Sequence, residues 1–199
     1  MANSDTPFGL KLLDYNPRLL IRGVIRAAAS LTYNLGINDP VIFEGTSDAT
    51  GKWPAFTEIT VGDGNYITGV ISSFEPDPAG GLDSSNNYAA SGTRTRDRYC
   101  SVCIDPDARY LIQDDGAAAL TAAAVGSNAN LIRTHNTDTS NGISGMELDT
   151  NSDEPDADAS NNLIIHQLYP VENNDLGVHA KWVVSISAAS FRPCGALGV

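Results

Sequence analysis

The sequence predicts a mainly β protein: a single β-barrel or β-sandwich domain of short antiparallel strands, with one short helix and an extended N-terminal arm. Three observations lead there. Short apolar runs recur at spacings of about ten residues, at Val41 to Phe43, Ala55 to Val61 and Tyr66 to Phe74. Turn-forming pairs such as Asp63-Gly64 and Asn141-Gly142 punctuate the chain where a tight turn needs positive φ. Only one stretch, GAAALTAAAVG, has the composition of a helix.

Taken in order, residues 1–29 form a basic segment inside an acidic chain. Pro7 and Pro17 interrupt it, and Lys11, Arg18, Arg22 and Arg26 supply its charge. The segment reads either as a solvated first strand or short helix, or as an arm lying on a neighbouring acidic surface. Residues 30–199 are expected to form the β-rich body, with long loops near 75–97 and 149–162. Asp63-Gly64 predicts antiparallel pairing of the runs on either side of it. The loop EPDPAGGLDSSNNYAASGTRTRD is too polar to bury much, and Arg94, Arg96 and Arg98 make a second basic cluster at its end.

From Arg98 to Gly116 the pattern predicts strand, turn and strand around Asp105-Pro106-Asp107. Cys100, Val102 and Ile104 fall on one face, with Tyr99, Ser101 and Cys103 on the other. A helix is expected over Ala117 to Val125, with Asp114 and Asp115 at its start and Gly126 at its end. Leu131-Ile132 and Met146 to Leu148 resume strand character, and Asp149 to Asn162 reads as an exposed acidic loop. Leu163 to Tyr169 and Trp182 to Ile186 close the fold, with Trp182, Val184 and Ile186 on the core face.

A net charge of -12 and a pI near 4.4 argue against nucleic acid and anionic membranes, which bind clustered Lys and Arg. No apolar run approaches the roughly 20 residues of a membrane helix. The opening MANSDTP lacks the early positive charge and apolar stretch of a secretory signal, so folding in a cytoplasm is expected. Three cysteines, an odd number, do not make a disulfide framework. Cys100 and Cys103 stand three apart on a strand, so they point to opposite faces and cannot share one ion. They read as structural thiols.

The remaining chemistry is sparse. Asp149, Asn151 and Asp153 match alternate ligand positions of a calcium loop, but the required glycine is replaced by Glu154, followed by Pro155. His135, His166 and His179 share no metal-ligand spacing, and no metal site or catalytic residue is expected from spacing. Gly142-Ile-Ser144-Gly145 is one residue short of a nucleophile elbow. A hydrolase that draws Asp and His from distant positions stays open as an alternative. So does a receptor- or glycan-binding β-module using loop aromatics such as Trp53 or Tyr88.

An ordered set of motifs points further. It runs from Pro7-Phe8-Gly9-Leu10 through Asp39-Pro40-Val41 and Gly69-Val70-Ile71 to Phe74-Glu75-Pro76-Asp77-Pro78. Asp105-Pro106-Asp107-Ala108, Gln113-Asp114-Asp115-Gly116 and Gly126-Ser127-Asn128-Ala129 follow. The set ends with Gly142 to Asp149 (GISGMELD), Asn174-Asp175-Leu176-Gly177 and Ala180-Lys181-Trp182-Val183-Val184. In this order, over most of the chain, the sequence resembles the capsid decoration, or cement, proteins of tailed bacteriophages. It departs from that pattern in its extra basic and aliphatic residues around Arg18 to Arg26, and in continuing past Ile186. The resemblance implies a non-enzymatic virion protein, made in the bacterial cytoplasm, that binds the outside of an icosahedral head and stabilises it against internal DNA pressure. It implies the major capsid protein as partner, self-association as a homotrimer or alternatively a dimer, no cofactor, and no nucleic-acid or membrane partner. Lys11, Arg18, Arg22, Arg26, Arg94 and Arg96 are the candidate partner-binding residues.

Overall fold

The computed structural model describes residues 3–62, 64–76, 87–92, 94–151 and 155–191. Its first half builds a barrel. The strands β1 (Lys11–Asp14), β2 (Leu20–Ile25), β3 (Leu35–Gly36), β4 (Pro40–Ser47), β5 (Pro54–Glu58), β6 (Gly69–Phe74), β7 (Tyr88–Ala89) and β8 (Arg98–Cys103) come first. Five of them close in the order β2-β5-β4-β6-β8. Closure removes the unpaired edges that an open sheet of short strands would expose.

The second half builds an open sheet. It contributes β9 (Arg109–Gln113), β10 (Asn128–Ala129), β11 (Leu131–Arg133), β12 (Met146–Leu148), β13 (Leu163–Leu168) and β14 (Lys181–Ile186). A five-stranded antiparallel sheet has the order β1-β9-β14-β13-β10, and β11 pairs with β12 beside it. The chain is therefore mainly β, as its short alternating runs predict.

Two hydrophobic clusters match this division. One, with Ile25, Leu35, Val41, Phe56, Ile71, Cys100 and Val102, is supplied by barrel strands and their neighbours. The other joins Trp182, Val184, Tyr110 and Ile112 of the sheet to Val70 and Cys103 of the barrel. Trp182, Val184 and Ile186 all belong to this second cluster, as strand alternation predicts. Gly23 shows how tightly the barrel is filled: a Cβ there would stand 2.2 Å from the Phe56 ring.

Several local expectations are corrected. Of the two readings of the N-terminal segment, its described part from residue 3 takes that of strands built into the body and not that of an arm: β1 is a sheet strand, and β2 pairs along its whole length with β8, from Leu20↔Cys103 to Ile25↔Arg98. Its apolar side chains are the reason, since Val24 and Ile25 are fully buried. One barrel pairing, β2 with β5 at Val24↔Ala55, is parallel. The runs flanking Asp63-Gly64 do not pair with each other; β4 lies between β5 and β6 and pairs with both. Asp63 itself lies outside the described residues.

The unit from Arg98 to Gly116 is not a hairpin. β8 belongs to the barrel, whereas β9 pairs with β1 and β14, so the Asp105-Pro106-Asp107 turn carries the chain between the two sheets. Asp105 holds that turn, accepting from the Asp107 backbone N–H at 3.0 Å and from Asn16 N–H at 2.6 Å.

The expected helix over Ala117 to Val125 shrinks to a 3-10 turn at Ala122–Ala124, with Thr121 as its N-cap. Helix nucleation is unfavourable over so short a segment, and side chains already bind the amides that would open it. Asp115 accepts from Ala117 N–H at 3.2 Å, and Thr150 accepts from Ala118 N–H at 2.9 Å. Asp149, Thr150, Asn161 and Asn162 are buried, so the ends of the acidic segment are anchored, while Asp153 and Glu154 lie outside the described residues. No helix among the described residues is long and apolar enough to cross a membrane.

Candidate functional site

The six basic residues singled out by charge separate into two groups. Lys11 and Arg18 are exposed, and their side chains make no ion pair or hydrogen bond with the described residues. Lys11 lies on β1, the edge strand of the five-stranded sheet, Arg18 on the 3-10 turn that follows it, and Leu13 between them is exposed. Leu12 turns the other way and packs on the core. Strand alternation thus places one cation and one leucine on the solvent side of an edge strand, and the 3-10 turn at Pro17–Leu19 adds the second cation. An edge of this kind can take up a partner strand or an acidic surface.

The others are occupied within the chain. Arg22 forms a two-pronged ion pair with Glu75, one prong at 2.6 Å, and its guanidinium lies between the rings of Trp53 and Tyr99 at 4.9 and 4.5 Å. Trp53, a candidate loop aromatic, is thereby already in contact with a cation. Arg26 stands 4.0 Å from Glu44 and donates to Thr46 at 3.1 Å. Arg94 donates to the carbonyls of Ala90, Arg26 and Ala29, and burial lowers its pKa from the usual arginine range. It ties the end of the long loop to the end of β2. Arg96 is exposed and also has an interaction within the chain. Charge clustering in sequence marked all six alike because it cannot tell a cation paired across the fold from a free one.

Cys100 and Cys103 are free and buried, and they enter different clusters, Cys100 that of the barrel and Cys103 that shared with the sheet. Strand geometry separates them as expected. Burial pushes the Cys100 thiol up to about 12, which makes it a packing group and a poor nucleophile.

Two polar centres were not visible in the sequence. The first is Asp39, fully buried just before β4, which accepts from Gly36 N–H at 2.7 Å, from Ser144 and Thr137 hydroxyls, and from the Arg133 guanidinium. Arg133 in turn lies 3.8 Å from the Tyr33 ring centroid. Burial raises the Asp39 carboxyl above the ordinary range, against the opposing pull of Arg133 and Gly36. Ser144, read in sequence beside an incomplete nucleophile elbow, is a buried donor to this carboxylate.

The second centre lies on the segment after β11. Thr134 donates to Glu147 Oε2, and His135 Nδ1 stands 3.1 Å from the same oxygen. Asp5 approaches from the N-terminal segment, 3.8 Å from His135 Nε2 and 3.8 Å from His179 Nδ1. Burial raises the Glu147 carboxyl pKa, opposed by Thr134 and His135. Spacing rules miss this group because its members come from three distant segments. The alternating pattern also assigns Glu147, in the middle of a short apolar strand, no more than an outward-facing position.

Scans against protein-family models, curated proteins and solved structures find no match to this chain.

Proposed function

We propose that this chain is a non-enzymatic structural protein of a tailed-bacteriophage virion. It binds the outer surface of the icosahedral head through the major capsid protein and stabilises the shell against internal DNA pressure. The observation that carries this reading is the ordered series of motifs from Pro7-Phe8-Gly9-Leu10 to Ala180-Lys181-Trp182-Val183-Val184, which resembles the capsid decoration proteins over most of the chain. Two physical features support it. A net charge of -12 keeps the free protein away from DNA and from copies of itself before assembly. The exposed cations Lys11 on the sheet edge and Arg18 on the turn after it, with no ion pair among the described residues, offer the contact that such an acidic molecule needs to settle on an acidic shell. Self-association on a shell symmetry axis, as a trimer or a dimer, belongs to the same proposal, because repeated weak contacts on a lattice add up to firm attachment.

Because β1 and β2 are built into the body, deletion of residues 7–26 would remove a barrel strand, and charge reversal is the cleaner test. In co-sedimentation with assembled heads, the Lys11→Glu/Arg18→Glu variant should bind about tenfold more weakly than the parent chain, with unchanged thermal stability, because like charges now face the shell. Equal binding of the two would exclude this edge as the contact.

A further inference from the structure

We infer that Asp5, His135 and Glu147 form a binding site for a divalent transition-metal cation of the zinc type, one that clamps the N-terminal segment to the body. This inference is independent of the particle-binding reading. Each of the three residues offers a ligand atom, and those atoms all lie within 4.8 Å of one another. Two carboxylates and an imidazole are the donor set that such ions take, and hard cations such as calcium would favour oxygen donors alone.

The decisive observation is Glu147. Its side chain is fully buried, and Oε1 has no hydrogen-bond partner among the described residues, whereas Oε2 is engaged by Thr134 and His135. A carboxylate oxygen buried in this way without a partner is unfavourable, and a cation beside it would supply the missing contact. A second open atom lies close by. His179 Nδ1 is buried and lacks a hydrogen bond among the described residues, yet it faces Asp5 Oδ1 at 3.8 Å. His179 adopts positive φ, +56°, and its ring lies against Gly116, where a Cβ would come within 2.2 Å of it. The ring is thus held in place beside Asp5.

Asp5 is positioned through its neighbours. The buried Gln113 side chain accepts from Thr6 N–H at 2.8 Å and donates to the Ser4 carbonyl at 2.6 Å, bracketing Asp5 between them. The Asn3 amide donates to the carbonyls of Asp175 and Val178 at 2.9 and 3.0 Å. These contacts hold Asp5 over the gap between His135 and His179. An ion there would bond the N-terminal segment directly to β12 and to the segment after β11.

The test is a calorimetric titration of the metal-free full chain with Zn²⁺, together with amide hydrogen exchange of residues 3–8. The expected result is saturable binding of one ion per chain and slower exchange at Thr6 N–H when the ion is present. Asp5→Asn and Glu147→Gln should each weaken binding about tenfold or more, comparable with or beyond the loss seen when groups supporting metal ligands are removed. His166→Ala should leave it unchanged, since His166 stands elsewhere, bonded to Ser185 at 2.9 Å. Asp5 is exposed, so its variant keeps the fold even if the substitution at Glu147 disturbs it. Absence of saturable binding would overturn the inference, and so would binding that Asp5→Asn leaves unaltered.

Discussion

Replacement of Trp182 by alanine is expected to destabilise the chain by about 3–5 kcal/mol, the range for removing a large aromatic side chain from a packed core. Trp182 is fully buried at the centre of the larger cluster, on the strand that links β9 to β13. Its loss leaves more than a cavity. The indole Nε1–H donates at 3.0 Å to Asp114 Oδ2, an oxygen that also accepts from Ala180 N–H at 3.1 Å. Asp114 is itself fully buried, and burial raises its carboxyl pKa, so losing a donor increases an existing desolvation penalty. Trp182→Phe should lose less, because it keeps most of the apolar volume and removes mainly the hydrogen bond. Chemical denaturation read by circular dichroism gives both values. A loss below about 1 kcal/mol for Trp182→Ala would mean that the site collapses around the vacancy and that the core is less tightly packed than described.

Asp39→Ala should have an effect of similar size, about 3–5 kcal/mol, because breaking a buried ion pair leaves the surviving charge without compensation. Three groups lose their acceptor together: Gly36 N–H, the Ser144 hydroxyl, and the guanidinium of Arg133, whose side chain is only 11% exposed; the Thr137 hydroxyl keeps the Asn34 carbonyl at 2.5 Å. The loop before β4, the end of β11 and the segment around Ser144 meet at this carboxylate, so the damage should spread to all three. A second substitution separates the charge from the rest. Arg133→Met added to Asp39→Ala should bring the combined loss below the sum of the two single losses, because the orphaned cation is then gone. Strict additivity in the same denaturation assay would show that Arg133 and Asp39 are not coupled.

Period-two alternation was enough to read several strands, among them β8 and β14, and the residues of one buried face of each. Cys100, Val102, Trp182, Val184 and Ile186 all lie in the core as that reading requires. Pairing was less legible, because it depends on partners far away in the chain. Local turn chemistry suggested that Asp63-Gly64 and Asp105-Pro106-Asp107 join neighbouring strands. The first connects two strands separated by β4, and the second connects two different sheets. The Ala-rich stretch misled for a related reason: intrinsic propensity favours a helix, but Asp115 and Thr150 capture its first amides in a non-helical turn.

Basic residues were visible individually, but their occupancy was not. Glu75 is 53 residues from Arg22, yet it binds two nitrogens of that guanidinium. The same limitation hid Asp39 and Glu147, whose chemistry depends on burial and on partners from other segments. Aspartates read as turn and helix-start residues divide in the structure. Asp105 and Asp115 hold local turns, and Asp114 does both, accepting from Gly116 N–H at 3.1 Å with one oxygen and from Trp182 at 3.0 Å with the other.

The central claim, attachment to an assembled phage head, is tested most directly by titrating the purified full chain into heads that lack it and counting bound copies after sedimentation. The account predicts saturation at a fixed number of copies per head, a multiple set by the symmetry axes of the shell, and heads that release DNA at a higher temperature once saturated. Failure to co-sediment at any ratio, or binding that rises without saturation and leaves DNA release unchanged, would contradict it.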